Sequence, residues 1–170
     1  MQFNQVANAP GETLAAFALR IRRTVDEQGT KNLIVDVRHN TGGNARLLNP
    51  LLRTLIHFET TRPDARLFVL TSRSTYSAAQ IFINEVARLT NAIFVGEPSS
   101  SSPSFIGEDT TVVLPASGLA GSISSQYHQS DETDVRSWIA PDIPVPLCAK
   151  DYFVNRDPAL ETLRAIISAH

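Results

Sequence analysis

The sequence predicts an α/β fold with a parallel-rich sheet and flanking helices. Two strand–loop–helix units follow one another between residues 33 and 89, and this order favours parallel strands. Their strands are short apolar runs, the first of them rich in β-branched residues, as in strands buried on both faces. With 170 residues, 42% of them hydrophobic, the chain can bury one sizeable core. We therefore expect residues 1–170 to form a single domain.

The first half of the chain carries the first of these units. Hydrophobic residues at helical spacing predict helices over residues 12–28 and 45–58. Between them, the run LIVDV at residues 33–37 predicts a buried strand, and HNTGGN after it predicts a glycine loop. Residues 3–6 also have the pattern of a strand, which begins only two residues after the start of the chain. We therefore expect this chain to be the C-terminal part of a longer protein, with an N-terminal domain missing.

The second unit is followed by a mixed tail. The run RLFVL at residues 66–70 predicts a strand, residues 77–89 predict the helix after it, and residues 92–95 predict a third strand. The tail combines two loops, a small strand pair and a last helix: a Ser/Pro-rich loop at 97–109, strands at 110–114 and 121–125, a polar loop at 129–137, and a helix that opens at Asp157–Pro158.

Composition excludes several classes of function. The formal net charge is −2, so the chain lacks the basic surface expected for binding nucleic acid. Its longest apolar stretches have the length of strands, so no membrane segment is predicted. The single cysteine, Cys148, excludes an internal disulfide framework. No His, Cys and acid cluster has ligand spacing and no nucleotide-binding motif is present, so neither a metal nor an organic cofactor is expected.

Two segments have both a structural and a chemical interpretation. Ser77 lies at a strand–loop–helix junction, where free backbone amides and the helix dipole stabilise developing negative charge. It could also be only a helix N-cap, a role that serine often fills. Gly42 and Gly43 could form only a tight turn, or they could let the backbone donate an N–H to a substrate carbonyl. The residues alone leave these alternatives open.

Four segments, in this order, carry a resemblance to a known family. They are LIVDVRHNTGGN (33–44), TSRSTYSAAQIFINEVA (71–87), IFVGEPSSSSPSFIGE (93–108) and WIAPDIPV (138–145). Together they resemble the catalytic domain of the tail-specific, or C-terminal-processing, serine proteases. The resemblance implies a ClpP/crotonase-like fold and a peptide or protein substrate.

The resemblance also implies a set of site residues. Ser77 would be the nucleophile of peptide-bond hydrolysis through an acyl-enzyme, and the amides of Ala78 and of Gly42 or Gly43 would hold the oxyanion. The substrate peptide would lie as an added strand beside a cleft bordered by the segment from Ser99 to Phe105, including Ser102. Asp36, Arg38 and Asn40 would brace the glycine loop, and His39 between them has no catalytic place in the family.

The chain lacks the general base of the Ser/Lys branch of the family. That branch has a lysine about 25 positions after the serine, where this chain has Ser102. Lys31 and Lys150 are the only lysines. Lys31 precedes a strand, at the wrong end of the sheet, and Lys150 lies beyond the Pro-Asp-Ile segment. A Ser/Lys dyad is therefore not predicted.

The tricorn-like branch, with a Ser/His/acid arrangement, is the closer resemblance. Its histidine precedes the glycine loop, and this chain has none there, so we predict that the base lies outside the chain and that the isolated chain is inactive or weakly active. The acid is predicted to be Asp134 or, second, Glu132, although a solvated acidic loop fits them equally well. His128 lies nearby and could substitute as the base, but its order in the chain is wrong for the family.

A binding module is the main alternative to an enzyme. The photoreceptor retinoid-binding protein resembles this family in fold and carries lipids, so the same cleft could hold an apolar ligand while Ser77 only caps a helix. A crotonase-type acyl-CoA enzyme fits less well, because no basic site suited to the CoA phosphates is present.

Overall fold

The computed structural model describes residues 1–169 as five helices, six strands and a short 3-10 turn at Ala45–Leu47. The helices are α1 Leu14–Glu27, α2 Asn49–Thr60, α3 Ala78–Leu89, α4 Ala149–Phe153 and α5 Pro158–Ser168. The strands are β1 Asn32–Asp36, β2 Arg66–Thr71, β3 Ile93–Gly96, β4 Phe105–Val113, β5 Ala120–His128 and β6 Ile143–Pro144.

Four strands form one sheet in the order β1-β2-β3-β6, and every neighbouring pair is parallel. The prediction of a parallel sheet with flanking helices is therefore confirmed. The edge strand β6 was not predicted, because it is only two residues long and contains Pro144, which is tolerated at a sheet edge. The other two strands, β4 and β5, pair antiparallel as a separate hairpin.

The core has two layers because alternate residues of each buried strand face opposite sides of the sheet. Leu67 and Val69 of β2 pack with the buried faces of α1, α2 and α3. Phe68 and Leu70 pack with Ala159 and Leu163 of α5 on the other side. Helices thus cover both faces, which leaves the ends of the strands as the place where loops meet.

Residues 3–6 do not form the predicted strand. This segment is extended, but it makes only isolated bridges, from Gln2 to Asp36 and from Val6 to Gly43. The amide of Phe3 donates to the Asp36 carbonyl at 2.9 Å, whereas the Phe3 carbonyl accepts the Asn40 side chain at 2.8 Å. Between β1 and the glycine loop, the Asn40 side chain therefore replaces the backbone hydrogen bonds that a continuous strand pair would make.

The hairpin is longer than the predicted strand pair. Its register runs from Phe105 opposite His128 to Val113 opposite Ala120, so residues 105–109 belong to a strand and not to the predicted loop. The helix predicted over 45–58 is also divided, with the 3-10 turn preceding α2 and Pro50 in the first turn of α2, a position that suits proline.

Candidate active site

Ser77 stands immediately before α3, at the end of the loop that follows β2. Its φ is 58° and its ψ is −125°, and its side chain makes no capping hydrogen bond to α3. A capping serine usually has an extended backbone and accepts an amide of the first turn. A positive φ is uncommon for a residue other than glycine and is often found at functional sites. The geometry of Ser77 therefore does not fit a simple helix cap.

The loop before Ser77 is fixed against the loop that follows β1. The Thr75 hydroxyl donates to the Val37 carbonyl at 3.0 Å, and the Tyr76 amide donates to the Asn40 carbonyl at 3.2 Å. Thr75 is fully buried, so this connection is shielded from water. The two loops consequently hold Ser77 at the carboxyl ends of neighbouring parallel strands, where sites commonly form in α/β sheets.

Gly42 lies directly against Ser77. A Cβ added to Gly42 would lie 2.6 Å from the Ser77 Cβ and 3.0 Å from both the Ser77 Oγ and the Ala78 amide nitrogen. Its φ of 114° also disfavours any side chain. Glycine at this position is thus required both by the backbone conformation and by the close approach of Ser77.

The two glycines of the loop differ in the partners of their amides. The Gly42 amide donates to Asn40 Oδ1 at 3.0 Å, and Asn40 is completely buried. Within residues 1–169, the Gly43 amide donates no hydrogen bond, and Gly43 is exposed. The Ala78 amide opens α3, where the first amides of a helix have no partner inside it. Gly43 and Ala78 are therefore the donors available beside Ser77.

The cleft beside Ser77 has a volume of about 560 Å³. The Phe105 ring borders it and contacts two other rings, Tyr76 with centroids 6.1 Å apart and His128 with centroids 5.1 Å apart. The lining combines the glycine loop, the start of α3 and the base of the hairpin: Gly43, Asn44, Ala45, Arg46, Ser77, Ala78, Ile81, Phe105, Glu108, Gln126 and His128.

Four residues suggested by the sequence are absent from this lining: Gly42, whose amide is already bonded to Asn40, and the three residues Asp134, Glu132 and Ser102. The Asp134 carboxylate accepts the Arg136 guanidinium at 2.8 and 2.6 Å, and these hydrogen bonds hold the pKa of Asp134 below its usual value. Glu132 is exposed on the same loop. The Ser102 hydroxyl donates to the Ser104 carbonyl. The structure therefore brings Ser77, Gly43, Ala78 and Phe105 together, but not these three.

Asp36 and Arg38 brace a different part of the molecule. The Arg38 guanidinium binds both carboxylate oxygens of Asp36, at 2.9 and 2.7 Å, and both of Asp157, at 2.8 Å each. Asp157 also caps α5 by accepting the Leu160 amide at 3.0 Å. Arg38 thus connects the end of β1 to α5. Of the three residues predicted to brace the glycine loop, Asn40 is the one whose side chain bonds to it.

The cleft contains two acid–base residues, of which the sequence analysis gave no role to Glu108 and considered His128 only as a substitute base. Glu108 and His128 face each other across the hairpin, with 3.8 Å between Glu108 Oε1 and His128 Nε2. The register of the β4–β5 hairpin could have revealed them. If the predicted strand pair is extended away from its turn, His128 comes to lie opposite Phe105. The Ser, Pro and Gly residues around Phe105 predicted a loop instead.

In the described part of the chain, no group of His, Cys, Asp and Glu side chains could hold a metal ion. Nor is any helix of residues 1–169 long and apolar enough to cross a bilayer.

Solved structures share this fold at low sequence identity. Mature CPAF in complex with lactacystin has a TM-score of 0.69 and 13% identity over 97% of this chain. An S41-type protein of Bacteroides fragilis has a TM-score of 0.62 and 15% identity over 98%, and a photosystem II D1 C-terminal processing protease has 0.57 and 19% over 83%. This chain spans about half of each, at 50%, 53% and 41% of their respective lengths.

Sequence comparison identifies the family. No curated protein matches this chain significantly. The sequence profile of Peptidase family S41, however, matches residues 53–145, which is more than half of the chain and includes Ser77, α3 and the whole hairpin. The resemblance to processing proteases is thereby confirmed at the level of the family. The chain belongs to peptidase family S41.

Proposed function

We propose that this S41 peptidase domain hydrolyses peptide bonds through an acyl-enzyme formed on Ser77. The observation that carries the proposal is the pairing of Ser77 with two amide donors, Gly43 and Ala78, at the end of the parallel sheet. Backbone amides fixed in this way stabilise the charge that develops on a carbonyl oxygen during acyl transfer. Because these amides are already in place, they do not have to reorganise during the reaction.

The strained backbone of Ser77 supports a chemical role. Its positive φ is disfavoured, and the buried contacts of Thr75 with Val37 hold the loop in place despite this cost. The resulting conformation leaves the Ser77 hydroxyl without a bond to α3 and beside the glycine loop. A serine in this position can attack a carbonyl whose oxygen lies between the two amides.

The finer assignments of the family resemblance belong to this proposal as well. They are the ClpP/crotonase-like name for the fold, the tricorn-like Ser/His/acid arrangement, and Ser102 as a substrate contact. A histidine from outside this chain, with Asp134 or Glu132 as its acid, stays a prediction. For Asp134 this prediction requires Arg136 to release the carboxylate.

The lining of the cleft favours peptide hydrolysis over transport of an apolar ligand. Arg46, Glu108 and His128 contribute charged or polar groups beside the two glycine-loop and helix amides. A site for an apolar ligand is instead lined mainly by hydrophobic side chains. A peptide offers carbonyl and amide groups that these donors and acceptors can bind.

A fluorophosphonate probe tests the proposal, because it reacts covalently with serines that are activated for acyl transfer. We expect one probe per chain, attached to Ser77 and identified by fragmentation of the peptide Ser74–Arg88. Ser77→Ala should lose the label. Ser74→Ala is the matched control, since Ser74 is an exposed serine of the same loop outside the Ser77 cleft. Equal labelling of the Ser77→Ala chain would refute the proposal.

A further inference from the structure

We propose that His128, positioned by Glu108, is the general base for Ser77, so that this chain carries its own base. The inference rests on the proposed function of Ser77 and replaces the predicted external histidine. It concerns two residues at the base of the hairpin that follows the active-site helix.

The first observation is the placement of His128 in the Ser77 cleft. The rings of Tyr76, Phe105 and His128 contact one another in series, with centroid distances of 6.1 and 5.1 Å. This aromatic row joins the residue before Ser77 to the imidazole. His128 and Ser77 both line the same 560 Å³ cleft, and the proposed proton transfer requires the two side chains to approach each other when a substrate binds.

The other histidines of residues 1–169 are elsewhere. His39 lines a separate cleft with Arg38 and Asp157. His57 lies on α2, with its Nε2 3.7 Å from the Asp26 carboxylate. Neither lines the Ser77 cleft, and no lysine does. Among the described residues, His128 is therefore the candidate base that the cleft provides.

The second observation is that the hairpin is shaped to seat this imidazole. Gly107 is buried beneath the ring, and a Cβ there would lie 3.2 Å from His128 Cδ2 and 3.3 Å from Nε2. These separations are closer than ordinary van der Waals contacts, so a side chain at Gly107 would displace the ring. The stacked Phe105 ring restricts the imidazole further, at an interplanar angle of 27°.

The third observation is the strained backbone of Glu108. Its φ is 56°, and only Ser77, Glu108 and Asn155 have a positive φ among the residues other than glycine in 1–169. Two of these three therefore line the same cleft. Glu108 Oε1 lies 3.8 Å from His128 Nε2, within reach of a hydrogen bond after a small side-chain movement. A carboxylate placed in this way orients an imidazole and stabilises its charged form.

The chemistry follows from which ring nitrogen faces the acid. With Nε2 toward Glu108, Nδ1 is the nitrogen left to take the Ser77 proton. As the Oγ–carbonyl carbon bond forms, the hydroxyl proton moves to Nδ1. The peptide C–N bond then breaks, and the leaving amine takes this proton from the imidazolium. Water, deprotonated by the same nitrogen, attacks the ester, and the proton returns to Ser77 as the acid product leaves.

The test measures the rate of fluorophosphonate labelling at Ser77 in the 170-residue chain. We expect His128→Gln to lower this rate by about 100-fold or more, the usual contribution of a general base. Glu108→Gln should lower it by about tenfold, because it acts only through the imidazole. His39→Gln is the matched control and should react at the unmodified rate. Circular dichroism checks that each variant is folded.

Imidazole added to the solution separates a base from a merely structural residue. We expect it to restore labelling of a folded His128→Gly chain, because the free ring can occupy the space left by the side chain. The labelling rate of the unmodified chain should rise with pH, because only a deprotonated base can accept the Ser77 proton, and His128→Gln should lack this rise. Arg46 and Glu108 are the other charged side chains of the cleft, so the same profile is recorded in Glu108→Gln.

Each outcome decides a different point. Labelling of His128→Gln at the unmodified rate, or no restoration of folded His128→Gly by imidazole, would overturn the inference while the role of Ser77 stands. An unmodified chain that reacts at Ser77 only when imidazole is added would do the same, because its base would be missing. No reaction at Ser77 under either condition would overturn both the inference and the proposed function.

Discussion

Two clefts open at the carboxyl ends of the parallel strands, and they differ in how their polar groups are used. The larger, about 700 Å³, contains Arg38, whose guanidinium makes four hydrogen bonds to the carboxylates of Asp36 and Asp157. The smaller, about 560 Å³, contains Ser77, whose hydroxyl makes no bond to its helix, next to the Gly43 amide, which has no acceptor within residues 1–169. Polar groups that lack partners, and not volume, therefore distinguish the candidate active site.

The difference shows which residues near the ends of the parallel strands are free to react. Arg38 is held by hydrogen bonds to Asp36 on one side and Asp157 on the other, and it connects β1 to α5. Ser77 and Glu108 instead have strained backbones, a cost that is usually retained where function requires it. The larger cleft is thus a structural junction, and the smaller one combines strain with free donors.

The largest expected effect comes from displacing Ser77 in the smaller cleft. Gly42→Ala should lower the rate of probe labelling at Ser77 by about 100-fold, because the added Cβ would lie 2.6 Å from the Ser77 Cβ. The serine would be pushed away from the Gly43 and Ala78 amides, with an effect similar to the loss of an oxyanion donor. Gly96→Ala is the control in the larger cleft, where a Cβ would lie 2.5 Å from the Thr71 carbonyl oxygen. It should lower stability without slowing Ser77 in the folded chain. Equal loss of rate in both variants would show that the effect is general unfolding.

The next effect is on stability and concerns the larger cleft. Arg38→Met should lower the free energy of unfolding by about 2 to 3 kcal/mol, measured by urea denaturation, because it leaves two carboxylates without their partner. The Asp36 side chain is only 14% exposed, whereas that of Asp157 is 37% exposed and is better screened. Labelling of Ser77 in the folded Arg38→Met chain should be unchanged. A large fall in this rate would mean that the two clefts are coupled.

A smaller effect depends on pH. The Arg38 guanidinium holds the pKa of Asp157 below its usual value, which is about 3.9 in an unfolded chain. Because the folded-state pKa is the lower one, this stabilisation is complete above about pH 4 and is lost as pH falls through the folded-state value. The difference in unfolding free energy between the unmodified chain and Asp157→Asn, about 1 kcal/mol at pH 7, should therefore shrink on acidification. If this difference in unfolding free energy grew on acidification, Arg38 would not be lowering the pKa of Asp157.

The sequence predicts the sheet well because its strands are buried on both faces. The apolar run predicted at 66–70 is observed as Arg66–Thr71, and the helix predicted at 77–89 is observed as Ala78–Leu89. Local pattern is sufficient here, since burial on both faces leaves few alternatives for such runs. The same local reasoning placed Ser77 and the glycine loop beside each other, because both follow parallel strands.

The parts that could not be predicted depend on distant pairing. Residues 105–109 contain Gly107 and follow several Ser and Pro residues, so they predicted a loop, but they pair with β5 in the hairpin. Only this register places His128 at the cleft. The φ of Ser77 is likewise set by three-dimensional contacts, since the loop before it is held by Val37 and Asn40.

The smallest expected effect concerns Asp134 and sharpens the comparison between candidate acids. Asp134→Asn should lower the free energy of unfolding by less than about 1 kcal/mol, as for other ion pairs near the surface, because it weakens only the contact with Arg136. Its labelling rate at Ser77 should stay within about twofold of the unmodified chain, since Asp134 does not line the cleft. Glu108→Gln is the matched substitution, because it also replaces a carboxylate by an amide, but within the cleft. The two variants should therefore separate by their rates although both remain folded. If Asp134→Asn instead lowered the labelling rate tenfold while Glu108→Gln left it unchanged, Asp134 and not Glu108 would be the acid.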